Sequence, residues 1–149
     1  MMTKVHQWIA SCFGIGFIKG GGTIAALITC VGWWLLQRDG NFNQWMIVVT
    51  AIITIAGVWV STKVEPKWGK DSSRVVIDEV AGMCISVLFV PVTIKWMLIG
   101  LILFRFFDIV KPLYIRKTEA LPAGWGVMAD DVLAGVYSNL VLQVIIYVS

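Results

Sequence analysis

One histidine, His6, and three cysteines, Cys12, Cys30 and Cys84, are all that 149 residues offer of the commonest soft ligands and nucleophiles. This scarcity excludes several chemistries. A histidine nucleophile needs partner histidines, and His6 stands alone. A cysteine nucleophile acting on phosphate needs a nearby arginine, and Cys84 is followed by Ile-Ser-Val-Leu-Phe-Val. The cysteines are odd in number and widely spaced, with no zinc spacing, so each reads as a small core residue. No Asp-x-Asp pair occurs, which removes the aspartyl nucleophile of soluble phosphatases. No G-x-x-x-x-G-K-[ST] loop occurs either. Repeats, low-complexity tracts and linkers are also missing. Charged residues make up only 14% of the chain, and the net charge is +3, so no nucleic-acid partner is expected.

What is present is apolar. Hydrophobic residues make up 58%, the mean hydropathy is +0.83, and eight tryptophans suit a membrane–water boundary. A soluble domain of this size cannot hide that much apolar surface. Five apolar stretches stand out, at about 23–36, 45–60, 75–90, 94–110 and 127–148. Each approaches the ~20 residues needed to cross hydrocarbon. They lack barrel alternation, and only helices otherwise satisfy their backbone in lipid. The expected fold is therefore an all-α integral membrane bundle of four to five transmembrane helices, forming one unit over residues 1–149. Residues 8–18 are too short to span and are expected to form an interfacial or re-entrant helix, broken by Gly20-Gly21-Gly22. Met1 to Gln7 lacks a cleavage site and is not read as a signal peptide.

Basic residues set the orientation. Lys4, Lys19, Lys63, Lys67, Lys70, Arg74, Arg105, Lys111, Arg116 and Lys117 fall on one side, with Arg38 and Lys95 opposite. The first side is read as cytoplasmic. The N-terminus is then inside, and five spans leave the C-terminus outside. Of nine acidic residues, only Asp39 belongs to the outer loop. Asp78 and Glu79 open the third span, Asp108 ends the fourth, and Asp130 and Asp131 open the fifth.

A carboxylate toward the middle of a spanning helix costs on the order of 3 kcal/mol. Three helices each carry one at matching depth. Single acids can be explained as staples to Arg74, Arg105 or Lys111. Two adjacent acidic pairs cannot, because like charges so close repel without a cation between them. Hard oxygen ligands suit Mg²⁺, which also binds phosphate oxygens. Helical neighbours diverge by about 100°, so one member of each pair is expected to ligate metal and the other to orient water, accept a proton or bind a base. Arg105, Asp108 and Lys111, spaced by three, share one helical face. Arg105 and Lys111 suit phosphate, and Gly20-Gly21-Gly22-Thr23 opens a helix whose N–H groups can cradle an anion. What remains is metal-assisted attack by water.

The chain resembles the phosphatidylglycerophosphatase A family over nearly its whole length. The resemblance rests on Gly14-Ile-Gly16 leading to Gly22-Thr23, and on Lys70-Asp71-Ser72-Ser73 followed by Val76-Ile77-Asp78-Glu79-x-x-Gly82. It continues through Phe104-Arg105-x-Phe-Asp108-Ile-x-Lys111-Pro112 and Gly124-Trp-Gly126-Val-Met128-x-Asp130-Asp131-x-x-Ala134-Gly135. It implies Mg²⁺-dependent dephosphorylation of phosphatidylglycerol phosphate in a bacterial inner membrane, on a phospholipid substrate met at the cytoplasmic side. It also implies metal ligation among Asp71, Asp78, Glu79, Asp108, Asp130 and Asp131, catalysis by Asp78, Glu79, Asp130 and Asp131, and phosphate binding by Arg105, Lys111 and Thr23. Gly21 stands where the family usually has proline, which leaves that loop less rigid. A small cation carrier or channel and a non-catalytic scaffold are the competing readings.

Overall fold

A computed structural model describes residues 2–37 and 44–149. The outer-loop residues Arg38 and Asp39 lie outside the described residues. The elements are α1 (Met2–Ala10), a 3-10 turn (Ile15–Phe17), α2 (Gly21–Leu36), α3 (Trp45–Trp68), α4 (Ile77–Ser86), α5 (Ile94–Val110), α6 (Ile115–Thr118) and α7 (Gly124–Val148). The described residues are helical or irregular, with no strand among them.

Helix α7 is the hub, packing against α3, α4, α5 and α6. At about 1.5 Å per residue, α3 and α7 are roughly 36–38 Å long and exceed the ~30 Å hydrocarbon thickness. Both are apolar enough to cross a membrane. Their outer faces carry exposed Val48, Ile52, Ile55 and Trp59 on α3, and Leu140, Val144 and Tyr147 on α7. Hydroxyls inside these helices are satisfied locally. Thr50, Thr54 and Thr62 each donate to the carbonyl four residues earlier, at 2.7–2.8 Å.

The stretches at 23–36, 94–110 and 127–148 coincide with helices to within three residues, the one at 45–60 starts as expected but continues to Trp68, and the third is cut short. Helix α4 stops at Ser86, and residues 87–90 turn. Pro91 disfavours helix at the residue before it, and Phe89 takes a left-handed φ of 62°. The carbonyls freed there are met from α7: Asn139 Nδ2 donates to the Ser86 carbonyl at 3.1 Å and to the Leu88 carbonyl at 2.7 Å. In lipid, such a replacement is obligatory. Near the N-terminus, helix covers Met2–Ala10, followed by turns. The apolar stretch at 8–18 is thus split, with Cys12, Phe13 and Gly14 at positive φ.

Helix ends near the acids are specified by short signals. Thr93 caps α5, accepting from the Trp96 N–H at 3.4 Å. Lys111, in the left-handed region at φ 50°, ends α5, and Pro112 prevents its continuation. The interior has two apolar clusters. One gathers Trp33, Met46, Met83, Val87 and Phe104, and the other Val60, Val64, Val75 and Met128.

Candidate active site

The acids of α4 and α7 meet because glycines let those helices touch. A Cβ on Gly82 would collide with the Phe104 ring and the Asp131 carbonyl, and one on Gly135 would collide with the Gly82 backbone. Each glycine lies one turn beyond its acidic pair, so close backbone approach brings Asp131 beside Asp78 and Glu79. Ligand oxygens of these three residues all lie within 4.8 Å of one another. Asp78 and Asp131 are 8% and 3% exposed, and Glu79 is partly buried. Asp78 and Glu79 occupy the first turn of α4, where the helix dipole favours negative charge.

The remaining site candidates sort into three groups. Asp108 borders the cluster, facing Asp131 and Glu79, and is ion-paired to Arg105. Asp130 turns to Lys111, whose Nζ donates to it at 2.6 Å and to Glu119 at 2.5 Å. Asp71 is exposed in the loop after α3, close enough for its charge to act on Asp130, and is not one of the three clustered acids. Both members of the first pair therefore converge, whereas the second pair splits as helical divergence predicts. Lys111 does not extend the Arg105–Asp108 face: its left-handed backbone leaves the helix and aims the side chain at α7.

Burial works against the Lys111 charge, but the hydrogen bonds to Asp130 and Glu119 outweigh it and hold its pKa above the usual lysine value. Burial, assisted by the charge of Glu79, pushes the Cys12 thiol up to about 11, so no reactive thiolate stands beside the acids. Cys30 and Cys84 are free and buried in the core, where the Trp33 indole donates to Cys84 Sγ at 3.3 Å. His6 packs edge-on against Trp59, with ring centroids 4.6 Å apart.

Two of the three acids carry oxygens with no hydrogen-bond partner, Asp78 Oδ1 and Glu79 Oε2. Buried carboxylate oxygens left unpartnered cost free energy unless a cation or proton meets them. Arg105 and Lys111 are already paired with Asp108 and Asp130, and among the described residues no basic side chain is hydrogen-bonded to either oxygen. An all-oxygen carboxylate set fits a hard divalent cation, and Asp78, Glu79 and Asp131 would hold it.

Beside Glu79 opens a cavity of about 650 Å³, lined by Gly16, Gly20 to Thr23, Arg74 and Arg105 among others. A Cβ on Gly22 would overlap the Glu79 carboxylate, so the start of α2 lies directly against the acids. Thr23 and Arg105 thus share the cavity with Glu79, and Lys111 does not line it. Buried Arg105 Nε is without a partner and can donate to an incoming anion. Sequence reasoning missed the role of Glu119, which completes the Lys111 pairing, and the contact roles of Gly22, Gly82 and Gly135. The glycines carried a signal: Gly82 and Gly135 each follow an acidic pair by about one helical turn, and Gly22 lies at a helix start.

The phosphatidylglycerophosphatase A family profile matches residues 8–146. The chain is 43% identical over 143 residues to a Bacteroides thetaiotaomicron protein named "Putative phosphatidylinositol-3-phosphatase", covering 91% of this chain and 90% of that one. It is 36% identical to phosphatidylglycerophosphatase A of Haemophilus influenzae, covering 99% of this chain and 91% of the relative. With phosphatidylglycerophosphatase A of Escherichia coli it shares 30% identity, over 97% and 85% of the two chains. No solved structure shows significant similarity to it. Apolar helices α3 and α7 and the matched relatives agree on a membrane protein. A family match over nearly the full length, on a chain whose buried acids adjoin a cavity bordered by arginine, makes this a lipid phosphatase belonging to the phosphatidylglycerophosphatase A family.

Proposed function

We propose that this protein hydrolyses the phosphate monoester of phosphatidylglycerol phosphate, with Mg²⁺, at the cytoplasmic face of a multi-pass bundle. The observation that carries the reading is the Asp78, Glu79 and Asp131 cluster opening onto the cavity that Arg105 and Thr23 share. A divalent cation held there would supply charge neutralisation at the phosphoryl group and would acidify water. The chain's own residues do the rest. Asp78 and Asp131, buried and backed by the α4–α7 contact, would hold the cation together with Glu79. Glu79, the one acid of the three that lines the cavity, accepts the proton of the attacking water. Water oxygen bonds to phosphorus as the bond from phosphorus to the head-group oxygen breaks. The proton then passes to that departing oxygen. Arg105 donates to the phosphoryl oxygens as their charge grows, and its pairing with Asp108 holds the guanidinium in orientation. Thr23 and the N–H groups opening α2 offer further donors. Lys111 acts at one remove, bridging Asp130 and Glu119 so that the start of α7 stays in register.

The basic residues around this end of the bundle support a cytoplasmic location, where a head group meets water and its acyl chains stay in the bilayer. A second reading concerns the head group alone. The Bacteroides thetaiotaomicron relative is named for a phosphoinositide, and a cavity of about 650 Å³ beside the glycines that open α2 has room for a ring. Phosphate release by purified protein from phosphatidylglycerol phosphate and from phosphatidylinositol 3-phosphate, with Mg²⁺ and with excess chelator, decides both points. Full activity in chelator would refute the metal assignment. Turnover of the inositol lipid alone would move the substrate to the second reading.

A further inference from the structure

The clustered acids, Arg105 and Thr23 account for cleaving a phosphate monoester, but they leave two cations of the same cavity without a task. Lys19 and Arg74 also line it, on the side formed by the 3-10 turn and the loop before α4. Both are exposed, and neither has a carboxylate ion pair among the described residues. Arg74 is nevertheless held. Its guanidinium lies 5.9 Å from the Phe17 ring centroid and 6.0 Å from that of Trp68. The two rings pack edge to face with centroids 5.7 Å apart. Aromatic contacts of this kind orient a guanidinium without occupying its N–H edge. Its backbone is fixed as well. Gly16 lies so close that a Cβ there would overlap the Arg74 carbonyl, and the Val76 N–H two residues on donates to the Ala10 carbonyl at 2.9 Å. An oriented, unpaired guanidinium facing a cavity is a binding device for a second anion.

The cavity volume falls within the roughly 300–1,000 Å³ typical of sites that enclose whole small molecules, and so exceeds what one phosphate needs. Exposed Phe17 and Ile18 give its outer rim an apolar edge, suited to the acyl end of a lipid. We propose that Arg74, assisted by Lys19, binds the phosphodiester that links a polyol head group to diacylglycerol. The site then selects lipids carrying two phosphates, a terminal monoester at Arg105 and a bridging diester at Arg74, over phosphatidic acid, whose single phosphate sits directly on diacylglycerol. This rests on the proposed lipid phosphatase reading and holds for a glycerol or an inositol head group alike.

The test uses full-length protein in nonionic detergent micelles, where substrate is the only anionic lipid. Arg74→Ala should raise KM for the two-phosphate lipid about tenfold, the order expected for one lost charge-assisted hydrogen bond, with kcat within about twofold. Arg74→Lys should recover part of the loss. Inhibition by phosphatidylglycerol, which keeps the diester and lacks the monoester, should weaken by the same factor, while inhibition by inorganic phosphate should hold. Equal weakening of both inhibitors would show a general structural defect and overturn the inference, as would an unchanged KM. An effect seen only when anionic vesicles replace micelles would overturn it too, assigning Arg74 to membrane anchoring. Wild-type protein that cleaves phosphatidic acid and neither two-phosphate lipid would overturn the proposed function along with it.

Discussion

Adding one methyl group at Gly82 tests whether the α4–α7 contact assembles the acid cluster. A Cβ there would lie 2.5 Å and 2.8 Å from two carbons of the Phe104 ring and 2.6 Å from the Asp131 carbonyl oxygen. Carbon atoms rest at about 3.5–4.0 Å, so relief demands a shift of roughly 1 Å. Phe104 is fully buried and cannot swing away, and the Asp131 carbonyl belongs to α7 itself. The helices must therefore separate, carrying Asp131 away from Asp78 and Glu79. Overpacking of this kind costs about 1–3 kcal/mol, and a misplacement of about 1 Å at reacting groups costs about 10²-fold in rate. Gly82→Ala should then lower Tm by several degrees and kcat by about two orders of magnitude. Gly100→Ala is the control. Its Cβ would meet methyls of Val87 and Leu142 at 3.1 Å and 3.2 Å, which small rotations relieve, so activity should stay within about twofold. Phosphate release and thermal unfolding in detergent measure both. Full activity in Gly82→Ala, or equal loss in the two variants, would refute the claim that backbone proximity builds the site.

Further outcomes follow from the same geometry. Glu79→Gln and Asp131→Asn should each cut kcat by about 10³-fold, remain folded, and lose any Mg²⁺-induced rise in Tm, because each removes a ligand oxygen and a like charge together. Thermal scans with and without Mg²⁺ check this, and variants that unfold while keeping their Mg²⁺ response would contradict it. Lys111→Met should destabilise by about 2 kcal/mol, since it strips charged hydrogen bonds from Asp130 and Glu119. The folded Lys111 pKa lies above the unfolded one, so its contribution is complete below the unfolded lysine value of about 10.4 and fades only as pH rises through the folded value. The Tm difference between wild type and Lys111→Met should therefore be flat from about pH 7 to 9 in unfolding scans. Chelation should abolish phosphate release, and Mg²⁺ should restore it. A Tm insensitive to both would argue that the three acids share protons instead.

Helix positions were legible because apolar runs in so polar-poor a chain admit few alternatives: the stretches at 45–60 and 94–110 became α3 and α5 with starts unchanged. The break after Ser86 was half legible. Pro91 announced an interruption, but the helix stops five residues earlier because Asn139 of α7 is available to receive the freed carbonyls. That is a tertiary fact with no local signature. The acidic residues announced a site by their cost in lipid, and periodicity showed that neighbours diverge. Periodicity could not show which way each pair splits. Asp78 and Glu79 both converge because they occupy the first turn of α4, against the start of α2 at Gly22. Asp130 is drawn off because Lys111 leaves its helix in a left-handed conformation, a backbone choice that the side-chain pattern does not encode.

The pairing of the buried polar side chains weighs against a cation route through the bundle. A route needs polar groups facing one another through the full thickness. Away from the acids, the buried polar side chains of α3, α4 and α7 mostly turn to backbone. Thr50 donates to the Met46 carbonyl, Ser86 to that of Met83, and Ser138 to that of Gly100. Asn139 is consumed by the end of α4, and Gln143 donates to Asn139 Oδ1 at 2.7 Å. Only Ser61 Oγ is buried without a partner in this set, and one hydroxyl does not make a path. Between the acids and the far end of α7 lie Phe104, Met83, Val87 and Leu142, all buried and apolar. Among the described residues the acidic charge is thus confined to one end of the bundle, beside a cavity bordered by cations. That arrangement can hold an anionic head group at a surface and has no continuation for an ion to follow.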